Sequence, residues 1–174
     1  MKERILVPLD GTDMGEAVFP QLEYLVLDKA PPQDVEVTLL QVLSVINFNV
    51  LTTDERAQLP YTKDDRDELY RNAYHYLEEV AVRLRRKGFH VTTVVKMGHT
   101  AEEIVKLANE ISANLIAMST HGRAGIIRWA KGSITDKVIS LENKIPVMIL
   151  HVGRERKENS FFSFHSLQTV LKYI

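Results

Sequence analysis

Residues Asn114 to Val138 read NLIAMSTHGRAGIIRWAKGSITDKV. The stretch opens on a short apolar run, Asn114 to Met118, of strand length. Gly122 follows, nine residues separate it from Gly132, and Gly132-Ser133 opens a helical pattern in which Ile134, Val138 and Leu141 form the apolar face. Strand, loop and helix in this order make one half of a βαβ unit. In an open parallel sheet, ligands settle beyond the carboxyl ends of the strands, where the strand order reverses. This loop leaves from such an end. A helix start presents unpaired amide donors and a partial positive charge, and glycine lets an anion approach the backbone with no Cβ in the way. Spacing alone leaves two readings open: a phosphate cradle, or a plain turn followed by a serine-capped helix. The stretch is neither a Walker loop nor a GxGxxG fingerprint.

Working outward, four more strand-like runs appear: Arg4 to Leu9, Val35 to Leu43, His90 to Lys96 and Pro146 to Val152. Several are nearly continuous in Val, Ile and Leu, as strands covered on both faces are. Helical patterns lie between them. Asp13, with Glu16 three residues on, is expected to cap the first, and Pro20 to kink it. The second carries Leu69, Ala73, Leu77, Val80 and Leu84 on one stripe and ends in basic residues before Gly88. Thr100 and Glu103 have capping-box spacing for the third, whose apolar face is Ile104, Leu107 and Ile111. Ser133 is placed to cap the fourth. Such alternation predicts an α/β fold: an open five-stranded parallel sheet with helices on both faces, Rossmann-like. It occupies residues 1–152. Residues 47–63 form a long connection without clear period. The tail, 153–174, is a separate appendage, and Phe164, Leu167, Leu171 and Ile174 are spaced for a short amphipathic helix.

Composition narrows the function classes. The 174 residues are 45% hydrophobic, enough to fill a core without staples. There is no cysteine, which excludes disulfides and thiolate metal sites. Lys and Arg number 22 against 23 Asp and Glu, a formal charge of −1, so the basic field that nucleic-acid binding needs is missing. No apolar run is long and clean enough to span a bilayer, and a cytoplasmic protein is expected. The six histidines show no pair at ligand spacing.

A second element supports the phosphate reading. ILVPLDGT, Ile5 to Thr12, puts Asp10 just past the first strand. If the first and fourth strands are neighbours, Asp10 faces the same crevice as Ser119 and Gly122, where a carboxylate accepts from ribose hydroxyls. With ILVPLDGT, GHTAEEIVKLANE (Gly98 to Glu110), MSTHGRAGIIRWAKGSITDKVI (Met118 to Ile139) and KIPVMIL all in place, the chain resembles the universal stress protein family over nearly all of residues 1–152. Nucleotide-binding members of that family carry Gly-x-x-Gly, nine residues, then Gly-Ser or Gly-Thr. Gly122, Gly132 and Ser133 match; Ser119 stands where the first glycine would be.

The resemblance implies the sheet order 3-2-1-4-5 and bound ATP, ADP or AMP, with Mg²⁺ carried in on the phosphates. It places Pro8, Leu9 and Asp10 at the adenine and ribose end, with Val42 and Met118 beside them and Gly98 near the ribose. Ser119, His121, Gly122, Arg123, Gly132, Ser133 and Ile134 would surround the phosphates. It also implies a homodimer paired through the strand at 146–152, and a protein partner of unknown identity. No positioned base or nucleophile can be assembled from the sequence, so the expected role is a regulatory, stress-response module rather than an enzyme. The alternatives are a slow ATPase or phosphotransferase, and an interaction protein working through its tail.

Overall fold

The computed structural model describes residues 2–27, 30–44, 63–122, 134–141, 144–153 and 169–172. In chain order these form β1 (Glu3–Pro8), α1 (Asp13–Glu16), α2 (Val18–Leu27), β2 (Val35–Ser44), α3 (Lys63–Arg85), β3 (His90–Gly98), α4 (Thr100–Glu110), β4 (Leu115–Gly122), α5 (Ile134–Leu141), β5 (Val147–Gly153) and β6 (Thr169–Lys172). The sheet order is β3-β2-β1-β4-β5-β6. The first five strands are parallel in the expected order 3-2-1-4-5, and β6 joins β5 antiparallel.

Alternation along the strands divides the core in two. Ile5, Val7, Leu9, Val37, Leu39, Ala117 and Met148 face Val18, Phe19 and Leu22 of α2 and Ala73, Leu77, Val80 and Leu84 of α3. Leu6, Leu40, Ile116, Met118 and Ile149 face Ala101, Ile104, Leu107 and Ala108 of α4 and Val138 of α5. Successive strand residues point to opposite faces, so β1, β2, β4 and β5 feed both layers.

Five local expectations differ from the structure. Thr12, not Asp13, caps α1: its backbone is extended and its hydroxyl accepts from the Gly15 amide at 3.2 Å. The helix does not kink at Pro20 but breaks one turn earlier, at Ala17. Pro20 then sits in the first turn of α2, where a missing N–H leaves no helix bond unmade. No capping box forms on α4, because Thr100 is already inside the helix and His99 takes the cap position without a side-chain bond. On α5, Thr135 and Val138 are buried while Ile134 and Leu141 are about half exposed, at 47% and 52%. Finally, Thr169–Lys172 is strand where the last turns of a tail helix were expected. Its residues pair with β5 in the register Val147↔Lys172 to Leu150↔Thr169. A parallel sheet ending at β5 would expose a row of unpaired backbone groups, and β6 satisfies them. The edge through which a second copy was expected to pair is therefore taken by the chain's own tail. Ser133 as a cap, the 47–62 connection and residues 164–168 lie outside the described residues.

Candidate functional site at the carboxyl ends of the strands

Two strands leave β1 in different ways. β2 stays in register from Glu3↔Val35 to Pro8↔Leu40, and the Leu9 amide then donates to the Leu40 carbonyl at 2.8 Å. β4 pairs only at Ile5↔Leu115 and Leu6↔Ile116, yet runs on beside β5 to Gly122↔Gly153. Beyond Leu6 the sheet is open between β1 and β4. This is the point at which the strand order reverses, the place where open parallel sheets take ligands.

The segment after β1 is built around Asp10. Its Oδ1 accepts from the Thr12 amide at 3.0 Å and from the Thr12 hydroxyl at 2.6 Å. The same hydroxyl accepts from the Gly15 amide, so one oxygen serves the turn and the helix cap together. Gly11 has a φ of +82°, which glycine adopts without strain. A Cβ on Gly15 would stand 2.7 Å from Asp10 Oδ1, so the carboxylate sits over α1 only because residue 15 has no side chain. Asp10 is exposed, and its Oδ2 makes no hydrogen bond among the described residues.

The opposite wall is the end of β4. Met118 is buried in the α4–α5 layer, against which Val42 of β2 also packs. Ser119 points the other way: its Oγ donates to the Met14 carbonyl at 2.6 Å and lies 3.2 Å from the Gly15 carbonyl. A serine hydroxyl has one proton, and here it is given to the backbone of α1. Gly98 ends β3 opposite Ser44. The Glu103 side chain folds over it, with Cγ 2.9 Å and Oε1 3.1 Å from where a Cβ would be.

Behind the Asp10 turn, on the α3 side, lies a polar cluster that the sequence reading missed. Glu16 is ion-paired with Arg83. Burial, and then the negative Glu16 and Asp10, push the Tyr76 hydroxyl well above the ordinary phenol range, so it stays neutral and keeps its proton. Tyr76 Oη and Gln41 Oε1 are buried without a hydrogen-bond partner among the described residues.

Of the residues expected at the site, Pro8, Leu9 and Asp10 lie at and just past the end of β1 and Met118 and Ser119 on β4, with the Leu9 side chain buried in the α2–α3 layer and Met118 in the α4–α5 layer. Val42 and Gly98 stand at the adjoining ends of β2 and β3, and Ile134 begins the helix that packs beneath Met118. His121 and Gly122 are backbone members of β4, opposite Val152 and Gly153. Arg123, Gly132 and Ser133 lie outside the described residues. Thr12, Gly15 and Glu103 were not anticipated in these roles. Thr12 had a signal, a hydroxyl two residues after an aspartate in a turn; Gly15 had none. No group of three His, Asp or Glu that could hold a metal ion occurs among the described residues.

The model of the universal stress protein family matches residues 1–151, which takes in β1 to β4, most of β5 and helices α1 to α5. The chain belongs to the universal stress protein family. Universal stress protein MJ0577 of Methanocaldococcus jannaschii is 26% identical over 159 residues, covering 86% of this chain and 95% of that protein. Its solved structure superposes with a TM-score of 0.66 over 90% of this chain and 99% of the other. Two further solved structures share the family fold at lower identity. A universal stress protein in complex with cAMP is 18% identical, with a TM-score of 0.57 and coverage of 86% and 97%. An Arabidopsis thaliana family protein with AMP bound, At3g01520, is 14% identical, with a TM-score of 0.57 and coverage of 90% and 94%. No helix among the described residues is long and apolar enough to cross a membrane.

Proposed function

We propose that this universal stress protein is a regulatory module that holds an adenine nucleotide in the opening between β1 and β4. The observation that carries the reading is the split itself: full pairing of β1 with β2 beside two residue pairs with β4, with Asp10 at the mouth. On this reading the adenosine half lies along the β1–β4 margin, beside the backbone of Pro8 and Leu9 and on the side of the sheet to which Met118 and Val42 belong. Asp10 Oδ2, free of other bonds among the described residues, accepts from the ribose hydroxyls, and Gly98 leaves room on the β3 side. Phosphates extend past His121 and Gly122 toward Arg123, Gly132, Ser133 and Ile134. Relatives of the same fold hold AMP and cAMP, which supports an adenine nucleotide as the class; ATP is our assignment within it. Mg²⁺ enters with the phosphates rather than through a protein cage, since Mg²⁺ is commonly held by one or two carboxylates and substrate phosphates.

The mode of action is occupancy rather than turnover. The Ser119 hydroxyl spends its proton on a main-chain carbonyl rather than on a base. Bound nucleotide then changes which surface the protein offers a partner. Pairing of two copies through 146–152 belongs to a state in which β6 has left the β5 edge.

Calorimetric titration of ATP into the wild type and Gly132→Val tests the assignment. The variant is expected to fold and to lose measurable binding, because a branched side chain blocks close approach of an anion to the backbone. Equal ATP affinity in the two proteins overturns it.

A further inference from the structure

Beyond Leu6 and Ile116, β1 and β4 share no backbone pairing. Among the described residues, the hydrogen bonds that cross from the end of β4 to the segment following β1 are those of the Ser119 hydroxyl, to Met14 and Gly15. The connection continues. The Gly15 amide donates to Thr12 Oγ1, and Thr12 donates through both its hydroxyl and its amide to Asp10 Oδ1. α1 is a single turn that ends at a break, and its own closing bond, Ala17 amide to Met14 carbonyl, is long at 3.3 Å. A one-turn helix has little stability of its own, so its position depends on what holds it from outside. The Ser119 bond, at 2.6 Å, is the short one.

We propose that Ser119 is a positioning residue: by anchoring α1 to the end of β4 it fixes the Asp10 carboxylate across the opening, and so sets affinity for the nucleoside half of the ligand. The inference rests on the nucleotide reading above and adds to it a residue that acts without touching the ligand. It also explains why serine serves at this position. A glycine would remove the hydrogen bonds that cross between the two walls of the opening among the described residues. A hydroxyl aimed at phosphate would need the proton that Met14 already holds.

The test is calorimetry with adenosine and with ATP on the full chain, comparing wild type, Ser119→Ala, Ser119→Thr, Asp10→Ala and the Ser119→Ala/Asp10→Ala double variant. Loss of one ordering hydrogen bond predicts that Ser119→Ala weakens adenosine and ATP alike, by about ten-fold. Ser119→Thr, which keeps the hydroxyl, returns affinity to near the wild-type value. In the Asp10→Ala background, Ser119→Ala causes no further loss, because its effect runs through the missing carboxylate. Three results overturn the proposal: unchanged adenosine affinity in Ser119→Ala, a loss for ATP with none for adenosine (which would put the hydroxyl on phosphate), or losses that simply add in the double variant. Wild-type protein that takes neither ligand defeats the nucleotide reading and this inference together. Wild-type binding with an indifferent Ser119→Ala defeats only the inference.

Discussion

The two sides of β1 are built differently. Toward β2 and β3 the sheet is zipped: six residue pairs join β1 to β2, nine join β2 to β3, and side chains reinforce the layer from α3. Toward β4 the zip stops after two pairs, and among the described residues the remaining length is spanned by one serine hydroxyl. The same strand therefore anchors a rigid half and borders an opening. Backbone pairing is continuous and stiff; a single side-chain bond is local and replaceable. The difference shows how a parallel sheet makes a binding place without a separate domain: it withholds pairing at one strand end and leaves a carboxylate at the margin.

The largest expected effect comes from breaking both sides at once. Leu6 is fully buried, pairs with Thr38 on one side and Ile116 on the other, and packs in the α4–α5 layer. Leu6→Ala should cost about 2–5 kcal/mol of stability, the range for emptying a packed core site. Urea unfolding measures it; a loss below about 1 kcal/mol would mean the layer collapses around the gap. A smaller and different effect is expected on the far side of β4. Deleting 154–174 uncovers the β5 edge, while β1 to β5 keep their pairing. The shortened chain should associate as a dimer in analytical ultracentrifugation at concentrations where the full chain is monomeric, because an unpaired edge recruits another strand. A monomeric shortened chain would show that β5 does not pair between copies.

What the sequence made legible was the zipped half. The run at Val35 to Leu43 is apolar enough to announce a buried strand, the run at His90 to Lys96 announced a strand that lies at the sheet edge with only Val95 buried, and the α3 stripe announced its own buried face. Strand order came from the family resemblance, and the structure agrees. The open half was harder to read. Its geometry depends on the Thr12 hydroxyl serving two partners, on the space left at Gly15, and on Ser119 reaching a carbonyl 105 residues away. Periodicity carries no trace of such contacts. The α5 face was misassigned for a related reason: its buried position is shared by Thr135, whose polarity hid it, while Ile134 turns outward. The tail gave the wrong period because β6 is only four residues long, too short for alternation to outvote helical spacing.

The smallest effect tests the stiffness of the zipped half through pH. Glu78 on α3 accepts from Arg85 at 2.8 Å and from the Thr93 hydroxyl of β3 at 2.6 Å, while Arg85 also donates to the Val91 carbonyl at 2.9 Å. The Arg85 guanidinium, and then the Thr93 hydroxyl, hold the Glu78 carboxyl below its ordinary range against the opposing pull of burial. A carboxylate with a depressed folded pKa adds stability above its unfolded pKa and loses that contribution as pH falls through the folded value. Glu78→Gln should thus be less stable than wild type near neutral pH, by about 0.5–1 kcal/mol, since the pair is partly solvated and screened. The gap should close as the solution is taken below the ordinary carboxylate range, and narrow in high salt. Chemical denaturation of both proteins at neutral and at acid pH reads the difference directly. An equal gap at the two pH values would mean the amide repacks differently, and that α3 is held to β3 by apolar contact alone.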